Sequence, residues 1–148
     1  MKTKILFLLT ITTIFYSCSN SDDNSNNSID SNKLIGKWSL ASDKETANGT
    51  TVFEADWDHN CSTTNDYVEF YNNGEFDWIE YQSDCNINTA SSNTDATWTL
   101  SGNTINFGND PELESAKIES LTETTLILKD EFSEGGVNYV YYTTFQKQ

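Results

Sequence analysis

The sequence predicts an all-β domain, an eight-stranded antiparallel up-and-down β-barrel, and three observations carry that expectation. From residue 34 onward apolar and polar residues alternate with a period of two, and the apolar positions are rich in aromatic and β-branched side chains. In extended chain, that alternation turns one face toward a core and the other toward water. No long run has apolar residues three and four apart, the spacing an amphipathic helix would need. Tight-turn residues recur at short intervals, in Asn72-Asn73-Gly74, Ser101-Gly102-Asn103 and Glu134-Gly135-Gly136. Such residues accept the positive φ that short hairpins require, and consecutive short hairpins make neighbouring strands antiparallel. Left flat, the sheet would carry two long unpaired edges, which closure into a barrel removes.

Taken in order, the chain opens with Lys2 and Lys4 ahead of an apolar stretch from Ile5 to Tyr16. That is the order of charge and apolar residues in a secretory signal, and it is short for a membrane span. The stretch ends in Phe15-Tyr16-Ser17-Cys18, which resembles a bacterial lipobox, although Tyr16 stands where a small or aliphatic residue is usual. The resemblance implies a signal peptide over 1–17, cleavage before Cys18 and acylation of that cysteine. The mature protein is then expected at a membrane surface, held through its N-terminal lipid, since each buried methylene adds about 0.8 kcal/mol and several chains anchor more firmly than one. Ser19, Asp22 and Asp23 resemble the short acidic export signal of lipoproteins sent to the outer face of the outer membrane. The expected location is therefore the cell envelope, as an outer membrane lipoprotein exposed at the surface. Residues 18–33 are nearly all Ser, Asn and Asp, too poor in apolar surface to fold, and read as a flexible polar linker.

The formal net charge is −15, and every basic residue is a lysine. Removal of residues 1–17 takes two of the eight lysines and none of the 23 acids, leaving −17. This balance argues against nucleic acid and against anionic headgroups, both of which need clustered basic side chains to neutralise phosphate.

Residues 34–148 suffice for one domain around one core. The expected strands are 34–42, 66–72, 75–81, 96–100, 104–107, 116–121, 124–130 and 137–145. Within the first, Leu34, Gly36, Trp38 and Leu40 share one face.

The segment LIGKWSL, with Gly36 and Trp38 two apart, resembles the Gly-x-Trp signature of the first lipocalin strand. Cys61, YVEFYNNGEFDW, Cys85, ATWTLSGNTINF and IESLTETTLIL then follow in the order seen in short bacterial lipocalin-like lipoproteins. The resemblance implies a lipocalin-like barrel whose closed end is plugged by Trp38, with Gly36 allowing the chain to bend there. Lipocalins usually lay an arginine from the end of the last strand over that tryptophan. This chain has no arginine, and Lys147 is the residue in the corresponding place, with a less planar charge. Gln148 follows directly after the last expected strand, so no counterpart of the C-terminal helix of long lipocalins is expected and their ligands are not carried over.

Cys61 and Cys85 form an even pair once Cys18 is acylated, and they flank the hairpin over 66–81. In an oxidising compartment they are expected to form a disulfide, contributing roughly 3.5 kcal/mol by loop closure. A thiol metal site or nucleophile lacks partners, because His59 is the only histidine and no Cys-x-x-Cys occurs. Asp56, Asp58 and Asn60 alternate as in the start of a calcium loop, but Cys61 and Tyr67 occupy the glycine and glutamate positions such a loop demands. No metal or cofactor is expected. A serine triad has only His59 to draw on, and acids such as Glu69, Glu75 and Asp77 alternate with apolar residues as solvated partners. Glu80 is the acid whose parity matches Phe76 and Trp78, which places it inward or at the barrel rim. An enzyme is not expected.

Inward aromatic residues can either fill an eight-stranded barrel or leave room for one small ligand. The candidate lining residues are Phe70, Phe76, Trp78, Trp98, Phe107, Tyr139 and Tyr141. Two functions follow, from different classes: a carrier of a small apolar molecule, or a filled-barrel structural lipoprotein that binds another envelope protein. An internal cavity discriminates between them.

Overall fold

A computed structural model describes residues 29–110 and 113–148. Cys18, the signal peptide and most of the polar linker lie outside the described residues. The elements are a helical turn α1 (Ser31–Leu34) and strands β1 (Gly36–Ala47), β2 (Thr50–Asp56), β3 (Tyr67–Phe70), β4 (Glu75–Ile79), β5 (Asn93–Ser101), β6 (Thr104–Gly108), β7 (Ser115–Leu121), β8 (Thr125–Glu134) and β9 (Val137–Lys147).

Strands β3 through β9 pair in sequence order, every ladder antiparallel, and β1 pairs with both β3 and β9. That double pairing closes an eight-stranded up-and-down barrel. Strand β2 is an addition that the alternation did not reveal. It pairs with the second half of β1, along the edge whose first half is occupied by β3. The turn between β1 and β2 is Asn48-Gly49, both at positive φ (49° and 81°). This is the dipeptide that a two-residue hairpin favours, because only such residues enter the left-handed region without strain.

The first strand was expected to begin at Leu34, whereas 31–34 form one helical turn capped by Asp30, whose carboxylate accepts from the Asn32 N–H at 3.0 Å. Leu34 is nonetheless buried, together with Trp38 and Leu40. Gly36 makes the change of direction at φ +114°, with Lys147 Cε only 3.5 Å from where a Cβ would stand. A side chain there would be strained and crowded at once.

The core gathers at the end of the barrel where β1 starts. Leu34, Trp38, Phe70, Phe76, Ile105, Leu126 and Phe145 are each at most 1 % exposed. The Trp38 indole donates to the Leu34 carbonyl at 2.7 Å, and Lys147 Nζ lies 4.7 Å from the Trp38 ring centre while donating to the Lys33 carbonyl at 2.8 Å. The lysine therefore takes the place that the missing arginine would hold, with one ammonium serving both the ring face and a backbone carbonyl.

The other end is open and elaborated. There β1 and β9 outrun their neighbours, and with β2 and the far half of β8 they build a four-stranded sheet that projects past the barrel rim. Phe53 and Phe132 stand about half exposed on it, and Phe132 stacks on Tyr139 with ring centres 5.0 Å apart. Two loops at the same end, 57–66 and 80–92, are joined by the Cys61–Cys85 disulfide, with Cα atoms 4.9 Å apart. Buried Asp66 organises the first loop. Its carboxylate accepts from the Trp57 indole at 2.9 Å and from the Tyr81 N–H at 2.8 Å, and its own N–H donates to His59 Nδ1 at 3.0 Å. A buried carboxylate is tolerated because donors reach both oxygens.

Candidate functional site

Between the packed end and the projecting sheet lies a cavity of about 550 Å³. Its lower wall is apolar: Val68, Phe70, Phe76 and Phe107 line it, with Phe76 4.9 Å from Phe70 and 4.8 Å from Phe107 between ring centres. Its upper wall carries polar groups from the strands that outrun the barrel, among them Asp43, Asp130, Tyr141 and Thr143. Of the aromatic residues expected to line the interior, Phe70, Phe76, Trp78, Phe107 and Tyr141 do so.

Trp98 and Tyr139 are placed elsewhere. The Trp98 indole donates to the Tyr71 carbonyl at 3.0 Å and meets Phe70 edge-on at 5.4 Å, which draws it into the packed end. Tyr139 has the expected parity, but β9 has passed the rim at that position, so its ring stacks on Phe132 in the projecting sheet. Glu80 stands at the mouth, where Oε1 accepts from the Trp78 indole at 2.9 Å, and both side chains line a neighbouring recess of about 440 Å³.

Several wall residues escaped the sequence reading. Asp43 lies beyond the predicted end of the first strand, and a bulge between Leu40 and Ser42 reverses the parity of everything after it. Before the bulge Trp38 and Leu40 face inward; after it Asp43 faces inward, paired with Thr143. Trp57 belongs to the loop considered for calcium and turns toward the cavity because Asp66 holds its indole N–H. Leu128 was available from alternation, two residues on from buried Leu126.

A family model described as a lipocalin-like domain matches residues 34–128, more than half of the chain. The chain belongs to the lipocalin-like domain family. No curated protein matches it. The lipocalin-like match begins at Leu34, the residue on which the Trp38 plug is hydrogen-bonded, and ends at Leu128 in the cavity wall. It therefore includes the Trp38 plug and most strands that frame the cavity, and leaves out β9, which brings Phe145 and Lys147 to the packed end.

The electrostatics of this lipocalin-like mouth are one-sided. In the strand register Tyr141 sits opposite Glu45 on one side and Asp130 on the other, so the three share a face. Burial, and after it the negative charge of Asp43, pushes the Tyr141 hydroxyl up to about 12, so it keeps its proton at neutral pH. Lys129 also borders the cavity, but its ammonium lies 2.9 Å from Glu119 and 3.4 Å from Glu131. The single cation at the wall is thus already paired with two carboxylates. Among the described residues no cluster of three or more His, Cys, Asp or Glu could hold a metal ion.

Proposed function

We propose that this protein is a noncatalytic binding protein that holds one small apolar molecule inside its barrel, anchored to the outer membrane through acylated Cys18. The observation that carries the reading is the cavity itself, about 550 Å³ with an aromatic lower wall, within the size range of small-molecule sites. An eight-stranded barrel has room for one such ligand. His59, the one histidine of the sequence, has its Nδ1 engaged by the Asp66 N–H in a loop outside the cavity, so it does not serve the walls as a base. Anchoring rests on the charged start, the apolar run and Ser17-Cys18 in the sequence.

Native mass spectrometry of the protein released from its own membranes tests the binding. One noncovalent adduct per chain is expected, and an adduct-free protein that takes up no apolar probe would overturn the reading. The anchor is tested by Cys18→Ala, which should abolish incorporation of labelled palmitate; unchanged labelling excludes it. Replacement of Asp22 and Asp23 by Ala should lower protease accessibility on intact cells if those acids direct surface display.

The cavity favours the carrier over the filled-barrel alternative. A protein partner keeps one observation in its favour, the exposed Val52, Phe53 and Phe132 of the projecting strands.

A further inference from the structure

We infer that the cavity selects an amine: a ligand with an apolar body and a protonated amino group, held at Asp43 and discriminated from carboxylates of the same length. This rests on the proposed ligand binding and names the chemical class that the mouth would accept.

Two independent observations lead there. The first is the cavity, whose lower wall of Val68, Phe70, Phe76 and Phe107 suits an apolar body. The second is Asp43. The side chain borders the cavity, and one carboxylate oxygen, Oδ1, has almost no accessible surface and no hydrogen-bond partner among the described residues. Buried acceptors almost always have partners, and a carboxylate oxygen is the one that gains most from a charged donor. Tyr141, whose hydroxyl is a hydrogen-bond donor to the Asp43 carboxylate, remains protonated and neutral, so it adds no cation.

The surroundings reinforce the sign. Glu45 and Asp130 flank Tyr141 in the register, and Glu114 lines the same cavity. Lys129 is the only basic residue along the wall among the described residues, and Glu119 and Glu131 hold it on the outer face. A ligand carboxylate entering here would meet several negative charges and no available cation. An ammonium would meet the opposite, in a site partly screened from water, where charge interactions are stronger than at an exposed surface. The cavity walls thus solvate the apolar body, and the mouth decides which head group is tolerated.

The test compares decylammonium, decanol and decanoate below their micelle concentrations, titrated into the full chain carrying Cys18→Ala so that no lipid competes. Trp57 and Trp78 in the walls report binding by fluorescence, and calorimetry gives the stoichiometry. Decylammonium should bind at least about tenfold more tightly than decanoate, the ratio one charge-assisted hydrogen bond supplies, with decanol between them. Asp43→Asn should cut that ratio to about threefold or less, as the bond loses its charge. Glu75→Gln, which removes the same charge from an exposed site at the packed end, should leave the ratio unchanged. Equal or tighter binding of decanoate overturns the inference, as does a ratio that Asp43→Asn leaves intact; in both cases the chains still bind and the carrier reading stands. If none of the three probes saturates, both fall. Should Asp43→Asn fail to fold by circular dichroism, the wild-type ratio decides alone.

Discussion

The two ends of this barrel are built on opposite rules. At the packed end Trp38, Leu34, Leu126 and Phe145 are at most 1 % exposed, the Trp38 indole is bonded to a backbone carbonyl, and Lys147 covers its ring. At the open end an acid borders a cavity with one oxygen that has no partner among the described residues, aromatic rings stand half exposed, and two loops are joined by a disulfide. Side chains fill the packed end, whereas the open end leaves a cavity of about 550 Å³. The comparison separates stability from function: substitutions at the packed end should change the free energy of unfolding, and those at the mouth should change what binds.

The largest effect is expected from Trp38→Ala. Removing a fully buried indole, its hydrogen bond and its cation contact should cost about 3–5 kcal/mol in denaturant unfolding. A loss below about 1 kcal/mol would mean that the packed end does not hold the fold together. Next comes the disulfide. Replacing Cys61 and Cys85 together by Ala should lower stability by about 3.5 kcal/mol on the chain-entropy estimate. It should also loosen loops 57–66 and 80–92 selectively, seen as faster amide exchange there than in β1 or β9. Uniform exchange across both ends would blur the distinction between them. Lys147→Met is a smaller perturbation, expected to cost about 1 kcal/mol through the lost ring contact and carbonyl bond while preserving most of the apolar stem. No change would show that the tryptophan plug needs no cap.

The smallest effect should appear in alkali. Tyr141 has its pKa pushed from 10.0 up to about 12 by burial and by Asp43. A raised folded-state pKa contributes stability fully below the unfolded value and loses it as pH climbs through the folded one. Stability should therefore decline between pH 10 and about 12, and Tyr141→Phe should flatten part of that decline. Tyr71, raised further by burial and by Asp77, adds to the same decline and remains in the variant. Tyrosinate absorbance followed beside the unfolding curve checks both the sign and the window.

Much of the packed end could be read from the sequence, because its signals are local. Period-two alternation located Trp38, Phe70 and Phe76 on inward faces, and the turns at Gly74 and Gly102 fixed the hairpins. Cys61 and Cys85 were paired from their positions on either side of one hairpin. The mouth was less legible for a physical reason. Its chemistry depends on a bulge after Leu40 that reverses which residues of β1 face inward, and a bulge leaves no mark in alternation unless the strand's partner is known. Asp43 was missed on that account. Strand β2 did carry a local signal, since Asn48-Gly49 is a strong hairpin dipeptide, but its alternation is diluted because both faces of the projecting sheet meet water. Trp98 and Tyr139 had the right parity and the wrong height: alternation gives the face of a side chain, while its level along the barrel depends on strand tilt and length.

The central claim is that the open end holds a ligand cavity functionally separate from the packed end. The most direct measurement is titration with N-phenyl-1-naphthylamine, a neutral apolar fluorophore, into the wild type and Leu128→Trp, which places a large ring in the cavity wall. The wild type should saturate at about one probe per chain. Leu128→Trp should remove that binding while leaving the unfolding midpoint nearly unchanged, because the added ring enters unfilled space. Non-saturating wild-type binding, or saturation unaffected by the added ring, would contradict a ligand site inside the barrel.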